Sequence, residues 1–194
     1  MEKRSGARKV PSRDIYVITG APGSGKTTLI KALRARGYRC VDEVAREIIS
    51  EQLRIGGNVL PWIDLVSFGH ALMDKRIRQY LEATEELHFF DRGIPDIIGY
   101  LLVEGKPVHD SLHHASKKYR YNRIVFFAEP WEEIYRTDAE RKEPFESALK
   151  ISEGIRKTYE SLGYEVVSLP KAPVEVRVDF ILRRLGAEKR PPKK

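Results

Sequence analysis

With 194 residues, 41% of them hydrophobic and 32% charged, the chain has the size and make-up of one globular domain. No apolar run approaches the roughly 18–20 residues of a membrane span, and no apolar segment follows the basic N-terminus MEKRSGARKVPSRD as a secretory signal requires. The expectation is therefore a cytoplasmic protein with no membrane partner. The net charge of +7 divides into +4 on residues 1–13 and +3 on residues 187–194, which leaves the body neutral. Both ends read as basic flexible tails around a domain at 14–186. They can touch polyanions weakly, but the neutral body disfavours a folded nucleic-acid surface. The single cysteine, Cys40, has no internal disulfide partner and reads as a small core residue.

In chain order, residues 14–19 (DIYVIT) form a short β-branched run ahead of a Gly-rich turn, the pattern of a buried strand. A helix is expected from Lys26 to Arg36, stopped by Gly37, and a second strand from Tyr38 to Val41. A helix from Glu43 to Leu53 would place Val44, Ile48 and the 49 and 53 positions on its apolar face. After the Gly56-Gly57-Asn58 break comes a long helix with a stripe of Leu65, Gly69, Leu72, Met73, Ile77, Tyr80 and Leu81. Residues 87–91 and 123–128 make the third and fourth strands, 145–162 a helix, 164–169 the fifth strand and 174–185 the last helix. Alternation of this kind implies an α/β fold with parallel strands and helices on both faces.

The strongest motif is Gly20-Ala21-Pro22-Gly23-Ser24-Gly25-Lys26-Thr27, a complete G-x-x-x-x-G-K-[ST] followed by Thr28. Glycines let backbone N–H groups turn inward and ring the phosphates of a nucleotide. Lys26 is the residue for the β- and γ-phosphates, the Thr27 hydroxyl for magnesium, and the helix start adds positive charge. The motif follows an expected strand and opens an expected helix, the context that a P-loop needs. ATP and ADP are the expected ligands, with Mg2+ as the cofactor.

Asp91 ends the third strand after Leu87-His88-Phe89-Phe90. An acid at the carboxyl end of a buried strand is the arrangement that holds magnesium beside a P-loop, and Asp91 is the candidate metal residue with Thr27. A turn or cap aspartate is the plain alternative. The residue after it is Arg92, not the glutamate that activates water in motor-type ATPases. An N-K-x-D segment for guanine is absent, and the chain after the sheet is short for the helical lid of a ring ATPase. Small kinases remain.

At these residues the sequence resembles the small P-loop kinases and predicted ATPases related to the ribosylnicotinamide kinase domain of bacterial NAD-regulatory proteins. The resemblance covers most of residues 14–186 and is carried by the GAPGSGKTT loop, Val41–Glu47, Phe90–Asp96 and Tyr135–Lys142. It implies the P-loop NTPase fold, an AAA-type domain, with a five-stranded parallel sheet ordered 2-3-1-4-5. It also implies an acceptor pocket after strands two and three and an arginine-bearing lid from the fourth segment.

These segments have physical readings too. Arg136 and Arg141 lie in an acidic, Pro-containing stretch poor in apolar residues, which fits a lid that brings cations to the phosphates; the plain alternative is a salt-bridged solvent helix. Glu43 and Arg46 are three apart at a helix start and share a face. A carboxylate there can take the acceptor's proton, yet Asp42 as N-cap and Glu43 in the first turn are also favoured by capping alone. Of Asp42 and Glu43, the resemblance points to Glu43 as catalytic through its E-x-x-R, with Arg46, Arg92 and Asp96 lining the acceptor pocket. His109, His113 and His114 have no completing ligand cluster and give no metal site. Trp62, after Pro61, could stack on a substrate ring, but it reads first as a helix-start core aromatic.

Two function classes follow. One is a phosphotransferase moving the ATP γ-phosphate to a hydroxyl or phosphate of a small, nucleoside-like acceptor, with a polynucleotide 5′-kinase as a variant disfavoured by the neutral body. The other is a nucleotide-dependent switch or slow ATPase that acts through a protein partner.

Overall fold

A computed structural model describes residues 14–135 and 144–187. Strands β1 (Ile15–Gly20), β2 (Arg39–Val41), β3 (His88–Asp91), β4 (Ile124–Ala128) and β5 (Glu165–Ser168) form one sheet in the order β2-β3-β1-β4-β5, as the resemblance implied. Every neighbouring pair runs parallel. Ile18, Phe89 and Phe126 face one side, where they pack with Leu29, Leu33, Val178 and Ile181 of α1 (Lys26–Ala35) and α7 (Val174–Arg184). Val17, Phe90, Val125 and Phe127 face the other, against Ile151, Ile155 and Tyr159 of α6 (Phe145–Ser161). Strands covered on both faces explain their near-continuous apolar runs.

Helices α3 (Leu65–Glu82), α4 (Ile94–Val103) and α5 (Asp110–Lys118) build a third cluster at the carboxyl edge of the sheet, and α2 (Ala45–Ile55) packs against α3. Neither α4 nor α5 was assigned from the sequence. The first is apolar around its whole circumference, with Ile94, Ile97, Ile98 and Leu101 all buried, so no helical stripe stands out. It is buried because α6 lies against it at glycines: a Cβ on Gly99 would sit 2.8 Å from Ile155 Cα, and one on Gly154 2.2 Å from Val103 Cγ2.

Five further expectations need correction. Helix α2 starts at Ala45 with Val44 as its N-cap residue, so Asp42 is not a cap; it pairs instead with Arg34 at 2.8 Å on the surface. Leu53 and Leu81, placed on apolar stripes, are 61% and 56% exposed. Trp62 is 63% exposed and is no core residue. Cys40 is half-buried at the margin of the first core, and burial pushes its thiol up to about 12. At the C-terminal end, Ala187 is buried and its carbonyl accepts from the Tyr38 hydroxyl at 3.1 Å, so this residue belongs to the folded body. Residues 1–13 and 188–194, with the tail charges, lie outside the described residues.

Candidate active site

The P-loop joins β1 to α1, and sterics dictate its glycines. Gly20 has φ 128°, and a Cβ there would lie 2.1 Å from the Ala128 carbonyl oxygen of β4. Gly23 and Gly25 adopt φ 74° and 80°, which turn the loop's N–H groups inward at little cost for glycine. Ser24 is buried and donates its hydroxyl to Ala21 O at 2.8 Å, bracing the loop. The Lys26 ammonium lies within the loop and donates to Ala21 O at 2.6 Å and Gly20 O at 3.2 Å. Burial, reinforced by the nearby Arg92 cation, lowers its pKa to about 7 against the pull of Asp91, Glu43 and Asp96. Thr27 and Thr28 are exposed on the first turn of α1 and line a cavity with Pro22, Gly23 and Gly25.

Asp91 stands at the end of β3 beside Ile18 of β1 and is 2% exposed. Its Oδ1 is buried with no hydrogen-bond partner among the described residues. Burial raises this carboxyl to about 6, with Glu43 adding to the effect and Lys26, Arg92 and Arg76 opposing it. An orphaned buried carboxylate oxygen is a costly arrangement that a cation relieves. The Asp91 carboxylate and the Thr27 hydroxyl are oxygen donors of the kind that suits a hard divalent ion.

Arg92 follows with φ 68°, the left-handed region that a non-glycine residue enters at a cost of about 1–3 kcal/mol. Three acceptors hold it there: Glu43 Oε1 at 2.9 Å, Asp96 Oδ1 at 3.0 Å and Gly20 O at 3.3 Å. Burial opposes its charge, but the Glu43, Asp96 and Asp91 carboxylates outweigh that and keep its pKa raised. Glu43 is also kept ionised: desolvation alone would raise it, and Arg92, Lys26 and Arg76 together bring it below its ordinary value. Its Oε2 has no hydrogen bond among the described residues.

Asp96 is buried and saturated. Oδ1 takes Arg92 and the Thr19 hydroxyl; Oδ2 takes the Gly93 N–H at 2.8 Å and the Tyr159 hydroxyl at 2.6 Å. Its contacts make it a brace for Arg92, although it borders the cavity. Arg46 lines the cavity from the first turn of α2, with Glu43 just ahead of the helix and not on it. Arg136 and Arg141 lie outside the described residues.

The structure adds residues that the sequence reading missed. Arg76 of α3 is 2% exposed; it donates to the Asp91 carbonyl and, at 3.2 Å, to the Asp42 carbonyl, tying together the ends of β3 and β2. Arg177 of α7 is 5% exposed and donates to Ser24 O at 3.1 Å behind the P-loop. Each was a charge on a stripe of core positions, beside Leu72 and Met73 for Arg76 and beside Val174, Val178 and Ile181 for Arg177. A charge in such a place is a legible sign of a buried contact. Trp62 borders the same cavity.

Lys26, Thr27, Thr28, Glu43, Arg46, Arg76, Arg92 and Asp96 line one cavity of about 820 Å³, within the range of small-molecule sites, while Asp91 and Arg177 lie behind its lining. Its polar end is formed by Lys26, Thr27, Glu43 and Arg92, and the rest of its lining by side chains of α2, α3, α4 and α6 with Pro61 and Trp62.

The family model for an AAA domain matches residues 15–177. No curated protein sequence matches the chain. Among solved structures, the fold is similar to thymidylate kinase from Ehrlichia chaffeensis, with a TM-score of 0.61 at 13% identity over 88% of this chain and 97% of that one. It is similar also to deoxyadenosine kinase from M. mycoides with dCMP and dCDP bound, with a TM-score of 0.64 at 16% identity over 90% and 100%.

Proposed function

The chain belongs to the AAA domain family, and we propose that it is an ATP-dependent phosphotransferase that moves the γ-phosphate to a small acceptor. What carries this reading is the single cavity that joins Lys26 and Thr27 to Glu43 and Arg92, a donor site and an acceptor site with no wall between them. Kinase folds among the structural neighbours support the same reaction class. The ribosylnicotinamide-kinase link and a nucleoside-like acceptor rest on the family resemblance of the sequence.

In this reading the loop N–H groups and Lys26 bind the triphosphate. Phosphate oxygens replace the Gly20 and Ala21 carbonyls as acceptors for Lys26 and favour its charged form. Asp91 and Thr27 would hold magnesium, which supplies positive charge to the phosphates when bound. The ionised Glu43 accepts the acceptor's hydroxyl hydrogen through Oε2, the oxygen that Arg92 leaves open. Held low by three cations, Glu43 is a modest base, which suits phosphoryl transfer, where positioning outweighs proton abstraction. Arg92, fixed by Glu43 and Asp96, presents a cation beside the reacting oxygen. Arg136 and Arg141 are assigned to the lid that closes on the transferring group, and Arg46 to the acceptor.

The test is Lys26→Ala. We expect a folded protein, with stability within about 1 kcal/mol of the parent, because the removed ammonium is held at a desolvation cost. Turnover of ATP should be abolished. Normal turnover in the folded variant would remove the P-loop from the mechanism.

A further inference from the structure

The acceptor end of the cavity differs in chemistry from its phosphate end. Helix α3 runs along it and turns Leu65, Phe68, Gly69, Leu72 and Arg76 toward it, a stripe at helical spacing. Arg76 closes the stripe at the strand edge, and its guanidinium is committed to the Asp91 and Asp42 carbonyls and to Gln79 Oε1 at 2.9 Å. From Leu72 outward to Leu65, about 10 Å of helix, every side chain on the stripe is apolar. Ile49 lines it from α2, Ile97 and Leu101 from α4, and the largely exposed Trp62 lines it as well. Helices α3 and α4 pack closely at Gly69: a Cβ there would be 3.1 Å from Ile97 Cγ2.

A nucleobase carries several donors and acceptors on its edge, and sites that select one match them with amides, carboxylates or backbone groups. Among the described residues no Asn, Gln or His lines the cavity; Arg46 and Tyr100 have partners of their own, and Glu104 and Ser147 complete its polar lining away from the α3 stripe. The carboxylate of Asp96 is saturated, and Arg76 and Arg92 are engaged. A base whose edge lay against Ile49, Leu72 and Leu101 would leave that edge unpaired, a penalty that an apolar group avoids. This apolar lobe and the polar end share one cavity, so its occupant must present a hydroxyl at Glu43 and an apolar body toward Trp62.

We propose that the phosphoryl acceptor is an alcohol with an apolar body of about 10 Å, seated between α2, α3 and α4. The inference rests on the phosphotransferase reading. In the step, the alcohol oxygen forms a bond to the γ-phosphorus while the bond to the β,γ-bridging oxygen breaks. ADP leaves with that electron pair, and the hydroxyl proton passes to Glu43 and then to water. Reactants and products balance as alcohol plus ATP giving phosphate monoester, ADP and a proton.

The test measures binding and turnover separately on the full chain. With saturating ADP and magnesium, the emission of Trp62 in a Trp131→Phe background reports on the lining of the lobe. The probes are 4-cyclohexylbutan-1-ol and 3-phenylpropan-1-ol against adenosine and thymidine. We expect the two apolar alcohols to shift Trp62 emission saturably and the two nucleosides to leave it unchanged at equal concentration. Leu72→Gln and Ile49→Gln, two half-buried sites on different helices, should each weaken alcohol binding roughly tenfold while ADP still binds. Binding of nucleosides in place of the alcohols, binding of neither class, or alcohol binding untouched by both substitutions would overturn the proposal. Alcohols that bind as expected but are never phosphorylated from ATP would leave the lobe's ligand class standing and remove the phosphotransferase reading instead.

Discussion

The Tyr159 hydroxyl of α6 donates to Asp96 Oδ2 at 2.6 Å, and the other oxygen of the same carboxylate receives Arg92 at 3.0 Å. One buried aspartate thus links the helix that begins just after residues 136–143 with the arginine at the reacting end of the cavity. A hydrogen bond to a buried charge contributes about 1.5–3 kcal/mol. Tyr159→Phe should lose that much stability in urea denaturation. It should also lower kcat more than it raises KM for ATP, because Arg92 loses its fixed position while the P-loop is untouched. Unchanged stability and kinetics would show that the link has no consequence.

Asp91 carries a cost in the absence of a cation. Its folded pKa of about 6 lies above the ordinary 3.8, so between those values the folded state binds more protons than the unfolded state. Stability from this group therefore falls as pH rises from about 4 to 6 and stays lower above it. Asp91→Asn removes that component and should stabilise the metal-free protein at pH 7 by on the order of 3 kcal/mol. The same substitution should abolish most of the rise in Tm that magnesium gives with ADP and reduce turnover. A variant that is no more stable, with an intact magnesium response, would make Asp91 an ordinary turn residue.

The P-loop was legible in the sequence because its constraints are on backbone: Gly20 and Gly25 are glycine through φ and close approach, whatever the tertiary context. Strand order came through the resemblance; alternation of strands and helices alone implied parallel pairing but no order. The support around the site was hidden for a different reason. Thr19, Asp96 and Tyr159 meet across 77 and 63 residues of chain, and no local pattern encodes such a meeting. Helix α4 had no stripe because both α3 and α6 cover it. The sequence did hold signals that were left unread, namely the arginines at 76 and 177 on otherwise apolar stripes.

The lid assignment concerns Arg136 and Arg141, which the sequence places between β4 and α6. Arginines that meet a transferring phosphoryl group strengthen their contacts in the transition state, so their loss appears in kcat. An arginine of this kind contributes up to on the order of 10³-fold or more in P-loop enzymes. Arg136→Ala and Arg141→Ala should each lower kcat by roughly 10–1000-fold with Tm nearly unchanged, and the double variant should be non-additive if both grip one phosphate. Full kcat in both single variants, or loss only through unfolding, would make the segment scaffold.

The central claim is that ATP cleavage here is transfer to an acceptor, and ADP formation with and without an acceptor panel tests it most directly. The account predicts slow ADP release from ATP and magnesium alone, because no glutamate follows Asp91 to activate water and Arg92 stands there instead. It predicts a large rise when an acceptor alcohol is added, with phosphorylated acceptor formed in equal amount to ADP. Turnover that is the same with and without every acceptor, together with a protein partner that binds only one nucleotide state, would contradict it and leave a nucleotide-dependent switch.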